Sequence, residues 1–153
     1  MRDQILLISN NTRLENELRD ALKERDLELR VGHDGRSGLR QAFELLPGAV
    51  VVDADLRGPS GFTIGNVLRN HARCKELRLI FASEKMAQAD MDQHGQLKTR
   101  ADGYVPAPGK GADIAAEAER LLGDESRDAR IDRLLKIPAT APYLMGPGLS
   151  YLI

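Results

Sequence analysis

Five short apolar runs, each followed by a stripe of helical spacing, constrain this chain more than any other feature. "QILLIS" (residues 4–9) is continuously apolar and reads as a buried strand. Behind it Leu14, Leu18 and Leu22 recur on one helical face, with Thr12 and Glu15 at capping-box spacing. "LELRV" (27–31) alternates apolar and polar, which predicts a strand wet on one side or near a sheet edge. Leu39, Ala42, Phe43 and Leu46 then lie at helical spacing, closed by Pro47 and Gly48. "AVVV" (49–52) is wholly apolar and β-branched, as a central parallel strand should be. Phe62, Ile64, Val67 and Leu68 mark the third helix, and "LRLIFAS" (77–83) the fourth strand. A weaker helix is predicted over 86–98, around Met86, Ala89 and Leu97 and interrupted by Gly95. "GYVP" (103–106) is a short strand. A last helix turns Ile114, Ala115, Ala118, Leu121 and Leu122 inward and closes at Gly123.

Strict strand–helix alternation implies parallel strands joined by right-handed crossovers. The predicted class is α/β: a doubly wound, five-stranded parallel sheet of order 2-1-3-4-5, the flavodoxin-like form. Its functional edge lies at the carboxyl ends of strands 1 and 3. Ser9, Asn10 and Asn11 fall at one of those ends and Asp53 at the other. At 153 residues, the chain suits one domain, residues 1–123, plus an extension over 124–153. The extension opens on the charged "DESRDARIDRLLK", able to continue the last helix. It then turns to "IPATAPYLMGPGLSYLI", whose prolines interrupt any helix and which is too apolar for a solvated tail. That tail is expected to pack or to bind.

Several functions are disfavoured by composition. One cysteine, Cys74, permits neither an internal disulfide nor a cysteine-rich zinc site, and a reducing, cytoplasmic setting is expected. No apolar segment is long enough to span a membrane. A net charge of −1, no tryptophan and 4% aromatic residues speak against a nucleic-acid partner. The turn after strand 1, "SNNTRLE", has no glycine with which to cradle a nucleotide phosphate. "GHDGRSG" is glycine-rich but follows strand 2 and reads as a turn and helix start. His33, His71 and His94 have no ligand spacing and are expected at the surface. "GPSGF" lacks the spacing of a nucleophile elbow.

The stretch "VVVDADLRGPSGF", together with "ILLISNN", "LRLIFAS" and "ADGYVPAP", resembles the receiver domains of bacterial response regulators. The likeness covers residues 3–123, about four-fifths of the chain, and implies the CheY-like form of the fold. It places the phosphoacceptor position on Asp53, the phosphoryl-contacting hydroxyl on Ser83 and the switch aromatic on Tyr104. The two metal-binding acids fall on Ser9 and Asn10, and the invariant lysine on Ala107. Three of these positions have therefore lost their charge. Phosphoryl transfer depends on positioning and charge neutralisation, and magnesium binds through carboxylates. Each lost charge-assisted contact costs on the order of 1.5–3 kcal/mol, so the acceptor position is expected to be inactive. No cofactor is expected. Magnesium should bind weakly at most, through Asp53 and the main-chain carbonyl of Asp55, with the Asp55 carboxylate turned elsewhere. The carboxylate of Asp53 is instead expected to accept hydrogen bonds from Asn10 and from loop N–H groups.

Within that family the chain is similar to the degenerate subgroup called pseudo-receivers, and in "GFTIGNVLR" and "QLKTRADGYV" to one from a gliding-motility regulator. The resemblance implies a signalling module, not an enzyme, that binds a protein partner in a bacterial signalling, motility or polarity pathway. The implied contact face is helix 4, strand 5 and helix 5, about residues 86–122, on a monomer or weak dimer. The alternative is a receiver phosphorylated weakly on Asp53 by a histidine kinase.

Overall fold

The alternation produces a sheet buried on both faces. In the computed structural model, which describes residues 2–138, the strands are β1 (Gln4–Ile8), β2 (Glu28–Gly32), β3 (Ala49–Asp53), β4 (Arg78–Ala82) and β5 (Gly103–Val105). All pair in parallel, in the order β2-β1-β3-β4-β5. The expected topology is therefore the observed one, and the alternating "LELRV" segment lies in an edge strand.

Period-two alternation assigns the core to two layers. Leu6, Ile8, Val50, Val52, Leu79 and Phe81 face α2 (Gly35–Leu45), α3 (Gly61–Arg69) and α4 (Gln88–His94). Ile5, Leu7, Val51 and Ile80 face α1 (Thr12–Lys23) and α5 (Gly111–Leu122). Leu14, Leu18 and Leu22 are at most 2% exposed, so the stripe read from sequence is the buried face of α1. Each such leucine contributes about 2 kcal/mol through its burial.

Local chemistry moves some boundaries. The cap of α1 is Asn11, whose side chain accepts the Leu14 N–H at 3.1 Å, rather than Thr12. Glu15 bonds Arg19 and His33 instead of closing a capping box. Helix α2 stops at Leu45, and Leu46 turns left-handed (φ 47°) just before Pro47, a residue that disfavours helix in its predecessor. Helix α4 is shorter than the predicted 86–98: it buries Met91 and His94, leaves Ala89 exposed, and ends before Gly95 and the exposed Leu97.

The charged segment after Gly123 does not continue α5. Gly123 takes φ +57°, and Ser126 caps a separate helix, α6 (Arg127–Leu135). Arg130 of α6 is 4% exposed and grips Asp3 at 2.7 and 2.8 Å, while Leu134 joins the α2–α3–α4 core layer. The expectation that the proline-rich tail packs or binds concerns residues 139–153, outside those described.

Candidate functional site

The carboxyl ends of β1, β3 and β4 bring Ser9, Asp53 and Ser83 to one edge of the sheet. Gly61 lets α3 start there: a Cβ at this position would overlap the Asp53 carbonyl and the Ala54 backbone. The Asp53-to-Gly61 spacing is thus a packing requirement of the loop between them.

Asp53 is 5% exposed. Burial pushes its carboxyl pKa up. Two hydrogen bonds oppose that rise: the Ser9 hydroxyl donates to Oδ2 at 2.6 Å and the Asp55 N–H to Oδ1 at 2.8 Å. Lys85 lowers it weakly by charge. The loop N–H was expected from sequence. Asn10 was expected as a donor too, but it lies exposed and the bond comes from Ser9. The physical reason is strand direction: Ser9 continues the β1 pleat toward β3, and its N–H is held by Gly32 at 3.0 Å.

Asp55 does what sequence did not reveal. Its carboxylate reaches across to the β4–α4 loop, accepting the Ser83 hydroxyl at 2.7 Å and the Glu84 N–H at 2.9 Å. Ser83 Oγ in turn accepts the N–H groups of Lys85 (3.1 Å) and Met86 (2.8 Å). The single proton of the Ser83 hydroxyl is therefore already donated to an anion within the chain. Ala107 is an exposed methyl with no cation to offer, its N–H bonded to the Met86 carbonyl. Arg13 of α1 bonds Glu84 and Glu17, placing a second charge pair beside the loop.

These groups do not fit a magnesium ion. The Asp53 carboxylate accepts a hydroxyl proton from Ser9, a neutral residue where a second anion is required. The Asp55 carboxylate faces Ser83, and Asn10 bonds neither acid. Among the described residues, no three His, Cys, Asp or Glu side chains converge as a metal site.

Tyr104, at the switch-aromatic position, is half-buried, and its hydroxyl is engaged within the chain. Its oxygen accepts the Ala101 N–H at 2.9 Å and pairs with His94 Nδ1 at 2.7 Å. His94 stacks on Phe62 at 4.3 Å and meets the edge of Phe81 at 4.9 Å. Among the described residues no hydrogen bond joins Ser83 to Tyr104. Two of the three histidines expected at the surface are buried: His71 is 5% and His94 6% exposed. Burial lowers the pKa of both, His71 to about 4. His71 stacks on Phe43 at 4.3 Å, and its Nδ1 accepts the N–H groups of Arg73 and Cys74. The Met91–His94 spacing was the sequence signal for the inward face of α4.

This is the fold of response-regulator receiver domains. A chemotaxis response regulator of Vibrio cholerae superposes with a TM-score of 0.69 at 14% identity, covering 79% of this chain and 99% of that one. The signal receiver domain of a histidine kinase from Syntrophus aciditrophicus gives 0.66 at 20% identity, covering 82% and 93%. Among curated proteins, the chain is similar to the adventurous-gliding motility protein Z of Myxococcus xanthus. The two are 22% identical over 152 residues, 98% of this chain. The chain spans 11% of that protein's length. No protein-family model matches.

Proposed function

We infer that the chain is a signalling module that binds a protein partner without phosphoryl transfer at Asp53, and without magnesium. The observation that carries this reading is the Asp55 carboxylate on the Ser83 hydroxyl and the Glu84 N–H. An incoming phosphoryl group would have to displace an anion already hydrogen-bonded at both donors. It would meet Ala107 where a cation is needed, Lys85 acting only weakly on Asp53 and Arg13 being paired with Glu84. Likeness to a gliding-motility protein supports a place in a bacterial motility pathway; we further take the chain to act in such a signalling or polarity pathway as a cytoplasmic monomer or weak dimer. The partner face of this reading is the α4–β5–α5 flank, residues 86–122.

The test is titration of the full chain with magnesium plus beryllofluoride or acetyl phosphate, followed by NMR. The expected result is no saturable shift around Asp53 at sub-millimolar ligand. Saturable shifts there, together with loss of cellular function in Asp53→Ala, would instead establish the phosphorylated receiver.

A further inference from the structure

Leu97 is 49% exposed, one of two large apolar side chains so exposed among the described residues. It closes a shallow open groove between α3 and α4, floored by Phe62, Met86 and His94. The rings beneath it are fixed: Phe62 is stacked on His94, and His94 is hydrogen-bonded to Tyr104. The groove is therefore preformed, which lowers the ordering cost of binding.

The groove does not end in neutral surface. Lys98, the residue next to Leu97 in the chain, lines a separate polar depression together with Arg69, Lys75, Glu76, Arg100 and Asp102. Of the two acids there, Asp102 is occupied, whereas Glu76 is exposed and its nearest cation, Arg133, is already held by Glu125. Asp102 holds Arg69 at 2.9 Å and the Leu79 N–H at 2.8 Å, and Glu76 lies 4.0 Å from Arg133. Lys75, Lys98 and Arg100 are exposed, and none is ion-paired with a described residue. An apolar slot thus stands next to a depression in which three cations outnumber one exposed acid, Glu76. At its opposite end stands Asp90, in the first turn of α4.

We propose that this α3–α4 surface docks an acidic peptide segment of a protein partner, one aliphatic or aromatic residue seating against Phe62 and Leu97 and carboxylates meeting Lys98, Arg100 and Lys75. The inference rests on the binding-module reading and names the chemistry of its partner. It also moves the contact face from the α4–β5–α5 flank toward α3. Charge complementarity selects the occupant: a basic or neutral segment would leave three cations unpaired at the rim, whereas an acidic one gains association rate and register.

Panning the full chain against a phage-displayed library of twelve-residue peptides tests this. Enriched peptides should combine an apolar anchor with an excess of Asp and Glu. Their affinity should fall at least about tenfold on Leu97→Asp, and by a similar factor on Lys98→Glu/Arg100→Glu, whose side chains are exposed. Panning the double variant should enrich Lys- and Arg-containing peptides instead. Peptides with no acidic excess, or equal binding to wild type and both variants, would overturn the assignment while leaving the phosphoryl-independent reading intact. Displacement of the selected peptides by a synthetic peptide of residues 139–153, or self-association abolished by Leu97→Asp, would assign the groove to the chain itself and equally overturn it.

Discussion

A carboxylate at the end of an apolar strand is easy to find and hard to interpret. Asp53 was legible because it terminates "AVVV", and Ser9 because it terminates "ILLI". The loop N–H on Asp53 was legible too, but its hydroxyl donor was not, because a hydroxyl's partner is chosen by the direction of the pleat. Asp55 shows the limit more sharply. A loop side chain points toward whatever can satisfy it, and its partner Ser83 lies 28 residues away. One consequence can be measured at this scale. Burial raises the Asp53 pKa, so the folded chain holds that proton more tightly than the unfolded chain. The penalty on folding is full above the folded-state pKa and fades as pH falls toward the unfolded value. Asp53→Asn keeps the shape and removes the buried charge. It should stabilise the protein at neutral pH by about 1 kcal/mol, and chemical denaturation should show that gain shrinking in acid.

Elements were legible where periodicity ran long. The three-turn α1 declared its face through three leucines, but the seven-residue α4 did not, since two turns fit more than one stripe. Gly65, inside α3, has no explanation in the sequence and a plain one in the fold: a Cβ there would strike the tip of the Phe81 ring. Alanine gains up to about 1 kcal/mol in a helix interior, while overpacking costs about 1–3 kcal/mol. The clash should win, so Gly65→Ala should lower the melting temperature by several degrees despite its better helix propensity. Helix α6 was hidden for another reason. In "RDARIDR" every arginine looks alike, and only the fold selects Arg130 to meet Asp3, 127 residues away. Arg130→Met strands the Asp3 carboxylate, which is 14% exposed, and should cost about 3–5 kcal/mol in urea unfolding. Asp3→Leu/Arg130→Met should recover most of that loss. Equal destabilisation in the single and double variants would mean that the loss comes from the Arg130 bonds to the Leu46 carbonyl rather than from a stranded Asp3 carboxylate.

The molecule as a whole followed from alternation: five strand–helix units leave few ways to wind, and the order 2-1-3-4-5 is one of them. Its electrical behaviour did not follow, because net charge says nothing about which histidines are buried. His71 and His94 both have pKa values lowered by burial, so the unfolded chain takes up protons that the folded chain refuses. Stability is full above pH 6.5 and is lost as pH falls from there toward the His71 value of about 4, on the order of 3 kcal/mol for that residue. Urea midpoints compared at pH 7 and pH 5 should show the decline, and His71→Gln should flatten it. The clasp between Asp55 and Ser83 has a consequence for time. A phosphoryl group on a protein has a lifetime, and a loop ordered by one relaxes when it is hydrolysed. A carboxylate built into the chain is never spent. If the module works without phosphoryl transfer, as proposed above, the order this clasp imposes on the β4–α4 loop keeps no record of past events, and a cell would vary how much of the protein it makes and where it is placed.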